Sequence, residues 1–312
     1  MKCILCNSDN LKTKQSIDKD EIVKCYLEEN NIDVSEEFKE LTKINYVSCR
    51  NCDLSFFQPG INGSSHFYNQ IQENHQSYYK KARPEFFTAQ PFISAESDLL
   101  EVGSGDASFA KLITPKSYIG LEYSDEAIRK AKEDNIILKK QSIEEFASEK
   151  ENTEKFDVVC SFHVLEHVEN PNLFIQSCLK VLKSGGRLIL AVPCRDSILT
   201  NNFNHTLNLP PHHLSRWSSK SFENFAKLFE VEIEKLFVDD LLSKRYKSYF
   251  DFLWAKKINK LYKPSREVLD YSQDYFRLLN LVKKINRRFK LYKFSKKNGW
   301  KGENMLVVLK KK

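Results

Sequence analysis

Short apolar runs alternate with stretches of helical character through the middle of the chain. Each run is bounded by polar or small residues and has the length of a strand, so each predicts a buried strand. Regular alternation of strands and helices predicts an α/β fold, with a parallel sheet covered on both faces. The predicted strands are the run that begins at Leu99, Ser117–Glu122, Ile136–Lys139, Phe156–His163 and Arg187–Val192.

Two more runs predict a sixth strand at Val231–Val238 and a seventh at Asn304–Leu309. The residues between them, Asp240–Glu303, are more than a hairpin needs. This insertion has helical periodicity, with Lys and Arg around an apolar face. The predicted apolar face consists of Leu278, Val282, Ile285, Phe289 and Tyr292.

The N-terminal region carries helical patterns of its own. Apolar residues at helical spacing predict one helix within Asp20–Leu41, and Val34–Phe38 resembles a capped helix start. His66–Phe92 is aromatic, and we interpret it either as a helical lid over a ligand cleft or as an arm packed on the sheet. Its aromatic residues are Phe67, Tyr68, Tyr78, Tyr79, Phe86 and Phe87.

The first predicted strand leads into a turn of small residues within Leu99–Ala110. Gly103 and Gly105 let the backbone turn sharply and approach a ligand, because neither has a Cβ. Ala107 stands where a dinucleotide fingerprint has its third glycine. The second strand ends in Glu122, where a carboxylate can accept hydrogen bonds from both ribose hydroxyls. The pattern therefore predicts a nucleotide-type ligand at this turn.

Four motifs resemble those of class I S-adenosylmethionine (SAM) dependent methyltransferases, in the same order. They are Glu101-x-Gly103-x-Gly105, Glu122, His163–Val168 and Leu182–Arg187. The resemblance covers about Asp98–Asp239. It implies a Rossmann-like sheet of five parallel strands plus an antiparallel pair, and an enzyme that takes its methyl group from SAM.

The resemblance also implies which residues hold SAM. The turn after the first strand would wrap the amino-acid end, Glu122 would hold the ribose, and Gln141 with Ser142 would lie beside the adenine. His163 would lie near the methionine part. The full implied set is Glu101, Gly103, Ser104, Gly105, Asp106, Glu122, Tyr123, Gln141, Ser142, Phe162 and His163.

Two Cys-x-x-Cys pairs, Cys3/Cys6 and Cys49/Cys52, predict a zinc ribbon with a helical insertion between the pairs. Four thiolates at about 2.3 Å make a closed tetrahedral site, so the Zn²⁺ would be structural. The alternative is that these cysteines are buried or redox-active. The other cysteines lack paired spacing and are predicted to be buried, namely Cys25, Cys160, Cys178 and Cys194.

Two segments carry histidines. His163–His167 matches the His-x-x-Glu-His pattern of a metalloprotease group, but those ligands need an uninterrupted helix and this segment starts at a strand end, so we interpret the match as accidental. In the second segment Pro210-Pro211 stiffens a loop that holds His212 and His213. Either imidazole is predicted to act as a general base on a hydroxyl acceptor. The alternative is that one histidine caps the next helix.

Length and composition predict one large or two to three smaller structural units and a sizeable core. The chain shows neither a run of about 18 apolar residues nor a signal-like start, so we expect a cytoplasmic protein. The predicted units are a zinc-ribbon-like domain at 1–60, a helical linker or lid at 61–97, a SAM-binding domain at 98–239 plus 304–312, and a basic helical insertion at 240–303.

The net charge of +7 is unevenly distributed. Ser243–Lys312 holds 21 Lys and Arg against 5 Asp and Glu, so the rest of the chain is acidic. We interpret the basic helices as a solvated surface, as a cap that holds an anionic acceptor, or as a contact with an anionic membrane surface.

The patterns and the resemblance together predict a SAM-dependent methyltransferase. Similar Pro-Pro-His-His-Leu segments occur in bacterial methyltransferases with an N-terminal zinc ribbon, many of which resemble sugar or surface-polysaccharide enzymes. The expected acceptor is therefore a small or sugar-containing molecule that is anionic, with nucleotide-linked and lipid-linked sugars among the candidates. An RNA methyltransferase is the alternative, although the chain lacks an aromatic-basic RNA platform. A non-catalytic SAM-binding module is a third, which the intact glycine turn disfavours.

Overall fold

The computed structural model describes residues 1–74, 83–293 and 300–312. An antiparallel four-stranded sheet begins the chain, formed by β1 (Leu11–Asp18), β2 (Lys43–Cys49), β3 (Ser55–Gln58) and a distant short strand, β9 (Ser215–Arg216). The strand order is β1-β2-β3-β9, and Phe56 of β3 pairs with Ser215 of β9. The N-terminal sheet is thus completed by the segment that follows Pro210-Pro211.

Helix α1 (Lys19–Asn30) connects β1 to β2 and confirms the helix predicted there. The side chain of Asp18 accepts a hydrogen bond from the backbone N–H of Asp20 and caps the first turn. The prediction that a second helix starts at Val34–Phe38 is wrong. Only a three-residue 3₁₀ turn forms there, because Ser35 has helical backbone angles instead of the extended ones of an N-cap and makes no capping hydrogen bond.

The larger sheet confirms the predicted fold class. In the described ranges it has seven strands, in the order β6-β5-β4-β7-β8-β11-β10. The strands from β6 to β8 are parallel, whereas β11 is antiparallel to both β8 and β10. Their bounds are β4 Asp98–Val102, β5 Ser117–Leu121, β6 Leu138–Lys139, β7 Phe156–Phe162, β8 Leu182–Pro193, β10 Val231–Asp240 and β11 Lys301–Lys311.

The helices between these strands begin at polar caps. The side chains of Ser124, Ser142 and Asn170 each accept a hydrogen bond from a backbone N–H in the first helical turn. Because a cap fixes where a helix begins, it also fixes the loop that leaves the carboxyl end of the preceding strand. The capped helices are α4 (Asp125–Glu133), α5 (Ile143–Ser148) and α6 (Pro171–Val181), and α7 (Ser219–Leu228) is capped by Ser218.

The main core lies between the parallel sheet and its helices and continues into the N-terminal segment. Leu100, Val159 and Leu190 of the central strands are fully buried. The same hydrophobic cluster contains Cys3 and Cys49, so the cysteine-bearing turns pack directly against the main domain. The domain boundaries predicted from the sequence stay predictions.

The aromatic segment forms α2 (Ser65–Asn74) and α3 (Pro84–Ala89). Phe67 and Phe86 are buried, which supports the interpretation of a packed arm for these two residues. The predicted lid residues Tyr78 and Tyr79 lie outside the described residues.

The C-terminal insertion is helical, as predicted, and contains α8 (Tyr246–Tyr262) and α9 (Gln273–Phe289). The predicted apolar face of α9 is correct in part: Val282 is buried and Leu278 packs beside it, but Ile285 and Phe289 are exposed. The polar residue Asn286 lies inward instead and donates a hydrogen bond from Nδ2 to Asp251 Oδ1 of α8, at 2.7 Å. The buried positions of α9 are Tyr275, Leu279, Val282 and Asn286.

The loop between α8 and α9 attaches the insertion to the N-terminal region. Gln15 Oε1 accepts hydrogen bonds from the backbone N–H groups of Glu267 and Val268, and Arg266 forms a two-oxygen ion pair with Glu21. None of the described helices is long and apolar enough to cross a membrane.

Candidate functional site

A cavity of about 840 Å³ opens at the carboxyl ends of the parallel strands. Open α/β sheets bind ligands at this edge. Most of the site residues predicted from the sequence line this one cavity, whether they were assigned to the cofactor or to catalysis. They are Glu101, Gly103, Ser104, Gly105, Asp106, Glu122, Tyr123, Phe162, His163, His212 and His213.

The glycine turn has the sharply turned backbone conformation that its small residues predict. Gly103 has a φ of +74°, and a Cβ at this position would lie 2.3 Å from Val164 Cγ2, so the turn lies directly against the loop after β7. Ala107, in the place of a third glycine, also has a positive φ, of 56°. The turn is therefore left-handed at several positions, which brings backbone groups close to the cavity.

Glu122 has a second role that its predicted contact with the ribose did not include. Its Oε2 accepts a hydrogen bond from the Gly105 N–H at 2.8 Å, and its Oε1 accepts from the N–H groups of Tyr123 and Ser124. The carboxylate thus connects the glycine turn after β4 to the end of β5. Because a carboxylate has about four acceptor positions, one remains for a ligand hydroxyl.

Glu101 lies at the base of the cavity and is 2% exposed. Burial raises the pKa of its carboxyl group to about 8, although the Tyr118 hydroxyl donates a hydrogen bond to Oε2 at 2.5 Å and opposes the rise. The carboxyl group is therefore mostly protonated at neutral pH while the cavity holds no cation.

Gln141 and Ser142, predicted beside the adenine, are not among the described residues that line the cavity. Gln141 Nε2 donates a hydrogen bond to Glu149 Oε1 at 2.8 Å. Ser142 forms a capping box with Glu145 at the start of α5. Both side chains have structural partners, and their contact with adenine stays a prediction.

His163 lies between two carboxylates. Its Nε2 is 3.3 Å from Glu85 Oε1 and its Nδ1 is 3.4 Å from Glu166 Oε1. Burial opposes protonation, but the two carboxylates outweigh it and raise the pKa of His163 to about 9. His163 is therefore a cation at neutral pH. Glu85 was not predictable from the sequence, because a single acid within an aromatic arm gives no signal of its own.

Three other imidazoles form a cluster next to this pair, namely His167, His212 and His213. The rings of His212 and His213 are stacked at 4.4 Å between centroids, and the ring of His167 lies edge-on to both. Burial lowers the pKa of His167, and lowers that of His213 well below its usual range. His212 and His213 were predicted from the sequence as site residues, but His167 was not, because its place in the cluster depends on the packing of two distant loops.

The four cysteines predicted to bind zinc come together in one place. Cys3 Sγ is 3.5 Å from Cys52 Sγ, and Cys6 Sγ is 3.6 Å from Cys49 Sγ. A zinc tetrahedron with bonds of about 2.3 Å has sulfur–sulfur edges of about 3.8 Å, which these separations approach. No disulfide forms among the eight cysteines, and the four predicted to be buried without a metal are buried. The donor set therefore fits Zn²⁺.

A profile of the family described as methyltransferase domain matches residues 71–236, which is more than half of the chain. The chain belongs to the methyltransferase domain family. Its fold agrees with this assignment, since a SAM-dependent methyltransferase structure from Archaeoglobus fulgidus superposes with a TM-score of 0.50. That match has 16% identity and covers 78% of this chain and all of the other.

Curated relatives of this methyltransferase-domain chain are similar over part of their length. A ubiquinone biosynthesis O-methyltransferase from Glaesserella parasuis is 30% identical over 103 residues, covering 30% of this chain and 44% of that protein. A probable SAM-dependent methyltransferase from Mycolicibacterium smegmatis is 25% identical over 144 residues, covering 45% of this chain and 54% of that protein. The chain thus spans about half the length of these relatives.

Proposed function

We propose that this chain transfers a methyl group from SAM to a hydroxyl oxygen of a small, sugar-containing acceptor. The observation that carries the proposal is that one cavity joins two chemically different walls. The donor half, the wall predicted to hold SAM, consists of Glu101, Gly103, Ser104, Gly105 and Glu122. The acceptor half consists of Tyr68, Glu166, His167, His212 and His213.

The chemistry of the acceptor half favours an oxygen acceptor. SAM carries an electrophilic methyl group, so the protein's main task is to hold the acceptor in line with it. A hydroxyl group also has to lose its proton, and an imidazole in the wall of the cavity, such as that of His213, is placed to accept it. The name of the Glaesserella parasuis relative specifies O-methyl transfer, which supports the same choice.

The charges that line the cavity limit the acceptor further. Among the described lining residues, Arg83 is the one Lys or Arg, and α8 and α9 contribute none. The prediction that the basic helices α8 and α9 form a cap over an anionic acceptor therefore has no support among the described residues. We favour an acceptor that is uncharged or has a single anionic group beside Arg83, over a polyanion such as RNA. The carboxylates are Glu85, Glu101, Asp106, Glu122, Glu166 and Glu303.

Two further proposals concern regions outside the cavity. The four-cysteine cluster binds one structural Zn²⁺, which fastens the N-terminus to the main core.

The exposed residues Leu281, Ile285 and Phe289 follow one face of α9 beside the basic Lys284 and Arg288. An apolar stripe flanked by cations suits an anionic membrane surface. Co-sedimentation with phosphatidylserine vesicles, but not with phosphatidylcholine vesicles, is the expected result.

The methyl-transfer proposal is tested with the purified full chain in two steps. Calorimetric titration should first show that SAM binds. The chain is then incubated with SAM and, separately, with sugar nucleotides, hydroxylated phenols and a short RNA, while S-adenosylhomocysteine release and product mass are followed. Methylation of a hydroxyl compound is expected. Methylation of RNA alone would support the RNA alternative, and SAM binding without transfer to any of these classes would support a non-catalytic module.

A further inference from the structure

The histidine cluster of the acceptor half has the hydrogen bonds of a metal site. Each Nδ1 faces a carbonyl oxygen, which can only accept: His167 faces the His212 backbone at 2.5 Å, His212 the Leu207 backbone at 2.8 Å, and His213 the Asn208 side chain at 3.2 Å. For His167 and His213 this places the proton of a neutral imidazole on Nδ1 and the lone pair on Nε2. Metal-bound histidines show the same arrangement, with the second nitrogen held by an oxygen acceptor.

Glu166 adds a carboxylate to the same place. The residue is 1% exposed, its Oε1 lies 3.4 Å from His163 Nδ1, and neither carboxylate oxygen makes a hydrogen bond of good geometry within the described part of the chain. Its Oε1 lies 3.9 Å from His167 Nε2 and 3.9 Å from His213 Nε2. Buried carboxylate oxygens are normally satisfied, so Oε2, which has no hydrogen bond among the described residues, leaves this carboxylate able to take a further ligand beside the three imidazoles.

We infer that His167, His212, His213 and Glu166 bind one divalent transition-metal ion, in addition to the zinc proposed at the cysteines. One ligand atom from each of the three histidines lies within 4.8 Å of the others. A bound ion with bonds of about 2.0–2.1 Å would draw them closer, to separations of about 3.4 Å. Three imidazoles and a carboxylate suit Zn²⁺, Fe²⁺ or Co²⁺ better than Mg²⁺, which prefers oxygen ligands.

This site differs from the metalloprotease pattern that the sequence shows. In that pattern His163 and His167 would be ligands on one helix, but His163 directly follows the last residue of β7, and its ring nitrogens lie 3.3 Å from Glu85 and 3.4 Å from Glu166. The ligands come instead from the short turn after β7 and from the loop stiffened by Pro210-Pro211. Because the cluster lines the acceptor half, a bound ion would be placed to hold an oxygen of the acceptor. Metal binding can be measured without SAM or acceptor, so it is independent of the proposed function.

The test counts metal ions on the full chain after loading with Co²⁺ and gel filtration. Cobalt reports both sites separately, because thiolate ligands give an intense charge-transfer absorption and imidazole ligands do not. We expect two Co²⁺ per wild-type chain and two for His66→Ala, which removes an exposed histidine outside the cavity. His167→Ala with His213→Ala should hold one Co²⁺ with the thiolate band intact, and Cys49→Ser should lose that band.

The thiolate band of the double histidine variant also shows that its N-terminal region is folded, and circular dichroism shows the same for the rest. If either signal shows that the double variant is not folded, Glu166→Gln takes its place, and the loss of the second Co²⁺ is again expected. One Co²⁺ in the wild-type chain, bound by thiolates alone, would overturn the inference. Two Co²⁺ in both the wild-type chain and the folded histidine variant would overturn it as well.

Discussion

The donor half of the cavity is built from one stretch of chain, whereas the acceptor half is assembled from separated segments. Glu101 and Glu122 are 21 residues apart, and the glycine turn lies between them. His167 and His212 are 45 residues apart and meet only where two loops pack together. The donor wall is therefore a property of local sequence, and the acceptor wall is a property of tertiary structure. Changes in the acceptor loops can therefore alter the acceptor while the wall predicted to hold SAM stays the same.

The largest effect is expected in the acceptor half. Replacing His213 with Ala removes an imidazole from the cavity wall that would either accept the proton of the acceptor or hold the ion inferred above, and turnover should fall about 10²–10⁴-fold, the typical contribution of a positioned base. SAM affinity should hardly change, since the donor half is intact. Turnover is measured as S-adenosylhomocysteine release with the hydroxyl acceptor. His66→Ala is the matched control and should keep full turnover; equal turnover in both variants would remove His213 from the chemistry.

The second prediction concerns close approach in the donor half. A Cβ at Gly103 would lie 2.3 Å from Val164 Cγ2, whereas one at Gly105 would meet nothing within 4 Å, and both residues have positive φ. Gly103→Ala should therefore lower the free energy of unfolding by about 1–3 kcal/mol more than Gly105→Ala does, the usual cost of overpacking. Chemical denaturation without SAM gives this difference directly. Equal losses would mean that the Val164 loop moves away freely.

Much of this fold was predictable from the sequence, but contacts between distant segments were not. The strands, the glycine turn and the cysteine pairs were predictable, because periodicity and short spacing record local structure. The pairing of Ser215 with Phe56 was not, since no local pattern joins two short strands so far apart. The face of α9 was misassigned in part because a polar pair, Asn286 with Asp251, replaced the apolar contact that periodicity assumes.

A smaller effect is expected from Glu122. Its carboxylate is predicted to hold the ribose, and charge-assisted hydrogen bonds contribute about 1.5–3 kcal/mol each. Glu122→Ala should weaken SAM about tenfold or more, measured by calorimetry. Because Glu122 also accepts the N–H of Gly105, the variant should lose some stability too, so the two readouts are taken together. Glu126→Ala, an exposed change on α4, is the control, and an affinity like that of the control would contradict the ribose assignment.

The smallest effect is a pH dependence of SAM binding that Glu101 imposes. Its pKa is about 8 without ligand, because burial disfavours the ionised carboxylate. SAM carries a net positive charge, which favours the ionised form and lowers this pKa in the complex. Binding should then release a proton below about pH 8. Affinity should rise about fivefold at most from pH 7 to pH 8 and level off above that, as linkage requires.

Calorimetry in two buffers of different ionisation enthalpy measures the proton release directly, since the apparent binding enthalpy then depends on the buffer. Glu101→Gln is the matched variant, because it keeps the size of the side chain and cannot titrate. It should bind SAM with an affinity that is flat from pH 7 to pH 8. A wild-type affinity that falls as pH rises through this window would reverse the sign of the linkage, and the donor half would then need a different group to balance the charge of SAM.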